Sequence, residues 1–147
     1  AYYNNQVYII SGSETKRFDP VANTWTTLAA PPYSFYGQKF DYDGNDKIYV
    51  WGGARYFFQG APTTNGYVYN LATNSYTIIP NTGAPVARAG HTLCAGNGGF
   101  MVWGGSTSTG FAPSTAESLR SGGLFFLNAQ NVTVTLPLGP LYMYEKK

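Results

Sequence analysis

The sequence predicts an all-β protein made of about three successive units, each with four antiparallel strands. The first observation is composition, because 13 Tyr, 9 Phe and 3 Trp favour strands, while 18 Gly and 9 Pro supply turns. The second is that no stretch of useful length has the apolar period of an amphipathic helix. The third is a pattern that recurs about every 50 residues, the spacing typical of propeller blades.

The repeat has two parts in each unit. An apolar strand that ends in two glycines, Ile48–Gly53, recurs 52 residues later as Phe100–Gly105, and Val7–Gly12 is a weaker earlier copy. The second part follows each of these, and Phe18–Trp25 matches Tyr69–Tyr76 at an offset of 51 residues. A degraded third copy of this part covers residues 126–134. Such repetition predicts that one supersecondary unit is stacked several times.

Four strands are expected in each unit, joined by turns rich in Gly, Asn and Pro. The units cover residues 1–32, 33–85 and 86–140, with a tail at 141–147. The first unit is expected to begin at strand two. Strands one, three and four are expected at Gly37–Tyr42 and Gly90–Ala95, at Gly66–Leu71 and Gly123–Asn128, and at Trp25–Leu28, Tyr76–Ile79 and Thr133–Leu136.

These motifs resemble the kelch repeat in the form common in bacterial proteins. The clearest copy joins Val50–Gly53 to Asn65–Asn70, and Ala87–Thr92 before Val102–Gly105 is also similar to the family. The resemblance implies a β-propeller of which this chain supplies about three blades, too few to close the usual ring of ~4–8 blades. Either a homo-oligomer, with two chains giving six blades, or the remainder of a longer chain would complete it. The tail 141–147 is expected to pair with the first blade or with a neighbouring chain.

Composition argues against several classes of partner. A net charge of +2 without a basic cluster argues against nucleic-acid binding. No apolar run approaches the ~20 residues of a membrane span. The single cysteine allows no intrachain disulfide. Weak charge (11% Asp, Glu, Lys and Arg) with abundant Tyr, Asn, Thr and Ser predicts an extracellular or cell-surface protein.

No catalytic residue, metal site or cofactor is predicted. His91 and Cys94 are three apart on a strand, so their side chains should point to opposite faces, and they are too few for a metal site. His91 is expected to be a hydrogen-bonded core residue. The diglycines are expected to allow tight packing rather than to cradle phosphate, because no helix follows them. Trp25, Trp51 and Trp103 are expected to fill the space between sheets.

The candidate ligand-binding surface is formed by the connections from strand two to strand three. In the second and third units these are Ala54–Asn65 and Ser106–Gly122, longer than the ~2–5 residues of a plain hairpin. Exposed aromatics beside a cation favour contact with a partner. The candidate residues are Arg55, Tyr56, Phe57, Phe58 and Gln59, with Tyr33, Tyr36, Phe111 and Arg120 from the same edge.

These features predict a non-catalytic binding or adhesion module for a glycan or a protein. Two alternatives remain open at the level of sequence. One is a structural subunit of an oligomer or fibre that completes the propeller with partner chains. The other is a propeller fragment of a sugar-modifying enzyme, an oxidase or an isomerase, with its catalytic residues outside these 147.

Overall fold

The protein is all-β, as the sequence predicts, and forms three antiparallel sheets that follow one another along the chain. The computed structural model describes residues 1–55, 60–96, 98–107 and 122–126. Within those ranges no helix could cross a lipid bilayer. In each sheet the strands lie in the order in which they occur in the sequence, and none of the three sheets closes on itself.

The first and second sheets each have four strands, and the third has three within the described residues. The first sheet contains β1 (Tyr2–Tyr3), β2 (Gln6–Ser11), β3 (Glu14–Asp19) and β4 (Thr24–Thr27). The second contains β5 (Lys39–Tyr42), β6 (Lys47–Trp51), β7 (Gly66–Asn70) and β8 (Ser75–Ile78). The third contains β9 (Thr92–Gly96), β10 (Gly99–Trp103) and β11 (Gly122–Phe126). The strands predicted from the sequence in these ranges are all found, with ends shifted by a few residues.

One prediction about the first unit is wrong, because it does have a strand one. Tyr2 and Tyr3 pair with Val7 and Gln6, and the amide of Tyr8 donates to the Ala1 carbonyl at 2.8 Å. The missed signal is the pair Asn4-Asn5, whose φ angles of 47° and 59° make a two-residue hairpin turn. The predicted fourth strand at 133–136 and the tail at 141–147 lie outside the described residues.

The repeat seen in the sequence is also a repeat of backbone geometry. Asn23 and Asn74 both have a φ of 52° in the turn between strands three and four. Just before that turn, Asp19 accepts hydrogen bonds from two following amides at 2.9 and 3.0 Å, and Asn70 does the same at 2.9 Å. Short polar side chains that bond to the backbone two or three residues ahead stabilise such turns.

Two apolar junctions hold the three sheets in a stack, with the second sheet in the middle. The junction of the first and second sheets contains Tyr8, Ile48, Val50, Tyr67, Tyr69 and Leu71. The junction of the second and third sheets contains Tyr49, Trp51, Val68, Ile79, Leu93, Phe100 and Val102. Because side chains alternate along a strand, β6 sends Ile48 and Val50 to one junction and Tyr49 and Trp51 to the other. The middle sheet is therefore buried on both faces, which explains its continuous apolar strands.

Candidate binding surface

The long connection after β6 leaves the second sheet at the same edge as the link that enters it. Tyr36 and Ala54 form an isolated antiparallel bridge, with both N···O distances at 2.8 Å. Ala54 also bridges to Pro62, so the beginning and end of the connection lie side by side. The amide of Thr63 donates to the Gly53 carbonyl at 2.9 Å. The connection Ala54–Asn65 is thus fixed at both ends beside the diglycine.

The candidate residues in the described part of this edge differ in role. Tyr36 is 52% exposed and Arg55 is also exposed, and the bridge at Ala54 brings them to one edge. Tyr33 instead packs its ring on Tyr67 at a centroid distance of 5.7 Å, and its hydroxyl donates to the Gly66 carbonyl at 3.0 Å. Burial raises the pKa of the Tyr33 phenol. Tyr33 therefore packs into the second sheet next to this edge, while Tyr36 and Arg55 are the solvent-exposed residues of the edge.

The other candidate residues lie outside the described residues. They are Tyr56, Phe57, Phe58 and Gln59, which directly follow Arg55 in the sequence, and Phe111 and Arg120 of the third-unit connection. At its start that third-unit connection repeats the pattern of the second, because Ala89 and Ser106 form an antiparallel bridge next to Gly105. Both connections therefore leave their sheets at the diglycine ends of β6 and β10.

The diglycines have the structural role that the sequence predicts. Gly52 and Gly53 have φ angles of 73° and 92°, and Gly104 and Gly105 repeat them at 69° and 87°. A Cβ on Gly53 would lie 2.8 Å from the Tyr36 carbonyl oxygen, and one on Gly52 would lie 2.8 Å from the Arg88 carbonyl oxygen. Only glycine combines positive φ with such close approach of backbone. The Gly53 amide donates to the Arg88 carbonyl at 2.9 Å and so ties the second sheet to the third.

A buried polar pair, Arg88 and His91, lies beneath this edge. Arg88 is 2% exposed, and its guanidinium donates to the carbonyls of Val86 and Gly104, each at 3.0 Å. Burial lowers its pKa. Arg88 belongs to the repeat motif Ala87–Thr92, but this buried role was not predicted; the signal was an arginine two residues before Gly90, where strand one was expected to begin.

His91 is a core residue, as predicted. It is 1% exposed, and neither ring nitrogen has a hydrogen-bond partner among the described residues. Its ring lies edge-on to that of Trp51 at 5.3 Å, over the Cα of Gly52. Burial, with smaller contributions from the charges of Arg88 and Lys39, lowers the pKa of His91 to about 4. The ring is neutral at pH 7 and fills space in the junction.

His91, which directly precedes β9, and Cys94 within it lie on opposite sides of the third sheet, as predicted, because Cys94 is exposed opposite Met101 while His91 is buried against Trp51. Among the residues that the structure describes, no group of three or more His, Cys, Asp or Glu side chains is placed to hold a metal ion.

The three tryptophans do not share the predicted role of filling the space between sheets. Trp51 is 0% exposed and does fill the junction of the second and third sheets. Trp25 and Trp103 are 57% and 55% exposed, because they lie on the faces of the first and third sheets that point away from the middle sheet. Trp25 stacks on Phe18 of the neighbouring strand at 4.9 Å.

The chain is similar to known proteins at the level of solved structures. No family model matches the chain, and no curated protein sequence matches it. Among solved structures, the chain is similar to that of YjhT, with a TM-score of 0.55 and 28% sequence identity. The match covers 73% of this chain and 33% of YjhT, so the chain spans about a third of the length of YjhT.

Proposed function

We propose that the chain is a segment of a kelch-type β-propeller that serves as a non-catalytic binding module for a glycan or a protein. The observation that carries this proposal is the Tyr36–Ala54 bridge, which brings the exposed Tyr36 and Arg55 to the edge where the long connection begins. Three successive sheets with the same strand order and repeated diglycine geometry support the propeller arrangement. The similarity to YjhT is consistent with it.

The chemistry of this edge suits a ligand with apolar faces and hydroxyl groups. An exposed tyrosine ring can stack on the C–H face of a sugar, and a guanidinium can donate hydrogen bonds to its hydroxyls. The same two side chains are frequent anchors at protein interfaces. In the sequence, Arg55 is followed at once by two phenylalanines, a tyrosine and a glutamine, which would extend the surface. An extracellular or cell-surface location is part of this proposal.

The test is a screen of glycans and cell-surface proteins with the wild-type chain, followed by affinity measurement on the hits. Tyr36→Ala and Arg55→Ala should each weaken binding at least about tenfold, the loss expected for an interface anchor. Val21→Ala is the matched control, because Val21 is 92% exposed in the turn between β3 and β4 at the opposite edge. Its affinity should equal that of the wild type.

Two outcomes would contradict the proposal. The first is a screen without any ligand for the wild-type chain. The second is a ligand that binds the Tyr36 and Arg55 variants as tightly as the wild type. Circular dichroism and the urea midpoint of each variant show whether a loss of binding is a loss of fold.

A further inference from the structure

In the part of the chain that the structure describes, two sheet faces of the stack are uncovered and carry large apolar side chains. The outer face of the first sheet is formed by Val7, Ile9, Lys16, Phe18 and Trp25, which are direct cross-strand neighbours. Ile9 is 44% exposed and Trp25 57%. An apolar sheet face of this kind marks an interaction site in a soluble protein.

The outer face of the third sheet is formed by Thr92, Cys94, Met101 and Trp103. Met101 pairs directly with Cys94, and Trp103 with Thr92, so all four side chains are on one side of the sheet. Met101 is 45% exposed, Trp103 is 55% exposed, and Cys94 is exposed. The other side of the same strands carries Leu93, Phe100 and Val102, which are buried against the second sheet.

Both outer faces consist of repeat positions whose equivalents in the second unit are buried at the internal junctions. Met101 and Trp103 correspond to Tyr49 and Trp51 at an offset of 52 residues, and those two are 1% and 0% exposed at the junction of the second and third sheets. In the aligned repeats, Ile9 of the first unit corresponds to Val50, which is 2% exposed at the junction of the first and second sheets. Each outer face is therefore one half of a junction that the chain forms twice internally.

The two outer faces differ in shape and can fit together, because one carries a projecting ring and the other a cleft. At the junction of the second and third sheets, the ring of Trp51 projects from one sheet and packs on Phe100 of the next at 6.1 Å. Trp103 is the equivalent projecting ring on the outer face of the third sheet. The outer face of the first sheet contains a cleft of ≈ 470 Å³ lined by Ile9, Ser11, Glu14, Lys16, Trp25 and Thr27. Its mixture of apolar and polar walls can receive an indole.

We propose that the occupant of both faces is a second copy of this chain, bound head to tail. The outer face of the third sheet of one copy packs on the outer face of the first sheet of the next, with Trp103 in the cleft beside Trp25. A second copy is the partner that the observations favour, because this chain carries both halves of the interface. Such a heterologous contact leaves one free half at each end and so builds closed rings or longer arrays. The inference does not depend on the ligand surface at Tyr36 and Arg55.

The first test measures mass in solution over a range of concentrations by sedimentation or light scattering. The wild-type chain should pass from one chain to two or more as its concentration rises. Trp103→Asp and Trp25→Asp should each give a single chain, because a carboxylate placed in the apolar junction would be buried without a partner. Val21→Asp, outside both faces, should associate like the wild type.

The decisive test mixes the two blocked variants. The Trp25→Asp copy keeps an intact third-sheet face, and the Trp103→Asp copy keeps an intact first-sheet face, so an equimolar mixture should form a one-to-one dimer. If identical faces paired with each other instead, the variant whose pairing face is intact would associate by itself and the other variant would stay single. Mixing the two variants would then form no dimer between them. A wild-type chain that stays single at all concentrations, or a mixture that stays single, overturns the proposal. Both variants should remain folded at low concentration, as shown by a cooperative urea transition, and Met101→Asp and Ile9→Asp provide a second blocked pair.

The single cysteine gives an independent measurement on the wild-type protein. Cys94 lies on the outer face of the third sheet, opposite Met101. Its reaction rate with a thiol reagent should fall at least about fivefold between dilute and concentrated wild-type protein, because head-to-tail packing covers it. In Trp25→Asp the rate should be the same at both concentrations. Equal rates in the wild type at concentrations where it associates would show that another surface is used, and would overturn the assignment.

Discussion

Trp51 and Trp103 form a matched pair that tests whether the junction of the second and third sheets stabilises the fold. Both precede a diglycine with the same backbone conformation, and they are equivalent in the repeat. Trp51 is 0% exposed and Trp103 is 55% exposed. The same substitution, Trp→Ala, therefore removes the same side chain from a buried and from a half-exposed site in one protein.

The expected losses of unfolding free energy follow from this difference in burial. A buried Trp→Ala change costs about 3–5 kcal/mol. Trp51 Nε1 has no hydrogen-bond partner among the residues that the structure describes, so its removal returns about 1 kcal/mol of desolvation, and the net loss should be about 3 kcal/mol. Trp103→Ala removes a half-exposed ring and should cost about 1 kcal/mol. Trp51→Phe removes the unpaired N–H but keeps an aromatic ring, so it should cost less than about 1.5 kcal/mol.

Equilibrium unfolding in urea, followed by circular dichroism, is the appropriate assay because fluorescence changes when tryptophans are removed. The measurement belongs at low protein concentration, where single chains predominate. A difference of about 2 kcal/mol between the two Ala variants shifts the midpoint by about 1 M urea for a typical slope of about 2 kcal/mol/M. Equal losses for Trp51→Ala and Trp103→Ala would show that the junction does not stabilise the fold as described.

Two further predictions concern a buried ring and a pair of turns. The pKa of His91 is lowered to about 4 in the folded protein, so between about pH 6.5 and pH 4 the unfolded chain binds a proton at this residue and the folded protein does not. The contribution of His91 to the free energy of unfolding should therefore be complete above about pH 6.5 and fall by at most about 3 kcal/mol between pH 7 and pH 4. Urea unfolding of His91→Gln should lose this part of the pH dependence. Asn74 and Asn23 share a φ of 52°, but only Asn74 accepts hydrogen bonds across the structure, from the Tyr69 hydroxyl at 2.8 Å and the Ala29 amide at 3.0 Å. Thermal unfolding should therefore show a loss of about 1–2 kcal/mol for Asn74→Gly and almost none for Asn23→Gly, and similar losses would contradict the role assigned to these bonds.

Most of the fold could be predicted because short-range sequence patterns determine each strand and turn, and these patterns are repeated along the chain. Alternating apolar residues, turn asparagines and diglycines specify each strand locally, so the strands of the second unit appear close to where they were expected. The strand at Tyr2–Tyr3 was missed because two residues are too few to show a period. Whether a tryptophan is buried depends on whether another sheet packs against its face. The repeat pattern alone therefore does not predict the burial of Trp25 and Trp103, which lie in the first and last units.

The site could be predicted only in part, for a related reason. Loop length and aromatic content identified the edge at Ala54, and the bridge to Tyr36 confirms that the two segments meet there. The roles of Tyr33 and Tyr36 differ because the Tyr33 ring packs on Tyr67 and bonds to Gly66 while Tyr36 is 52% exposed, a distinction set by packing. The contact of His91 with Trp51 also depends on three-dimensional surroundings that the sequence does not specify.

The sequential strand order of every sheet has a consequence for how the protein is made. As the chain leaves the ribosome, each sheet can form from the residues just synthesised, because its pairings join neighbouring segments. However, the face of the first or second sheet that packs on the next sheet stays exposed to solvent until about 50 more residues have emerged, the length of one repeat. Tyr8 and Ile10 then wait for the middle sheet, and Tyr49 and Trp51 wait for the third. During translation these aromatic surfaces are where a chaperone would bind and where premature contact between nascent chains would begin.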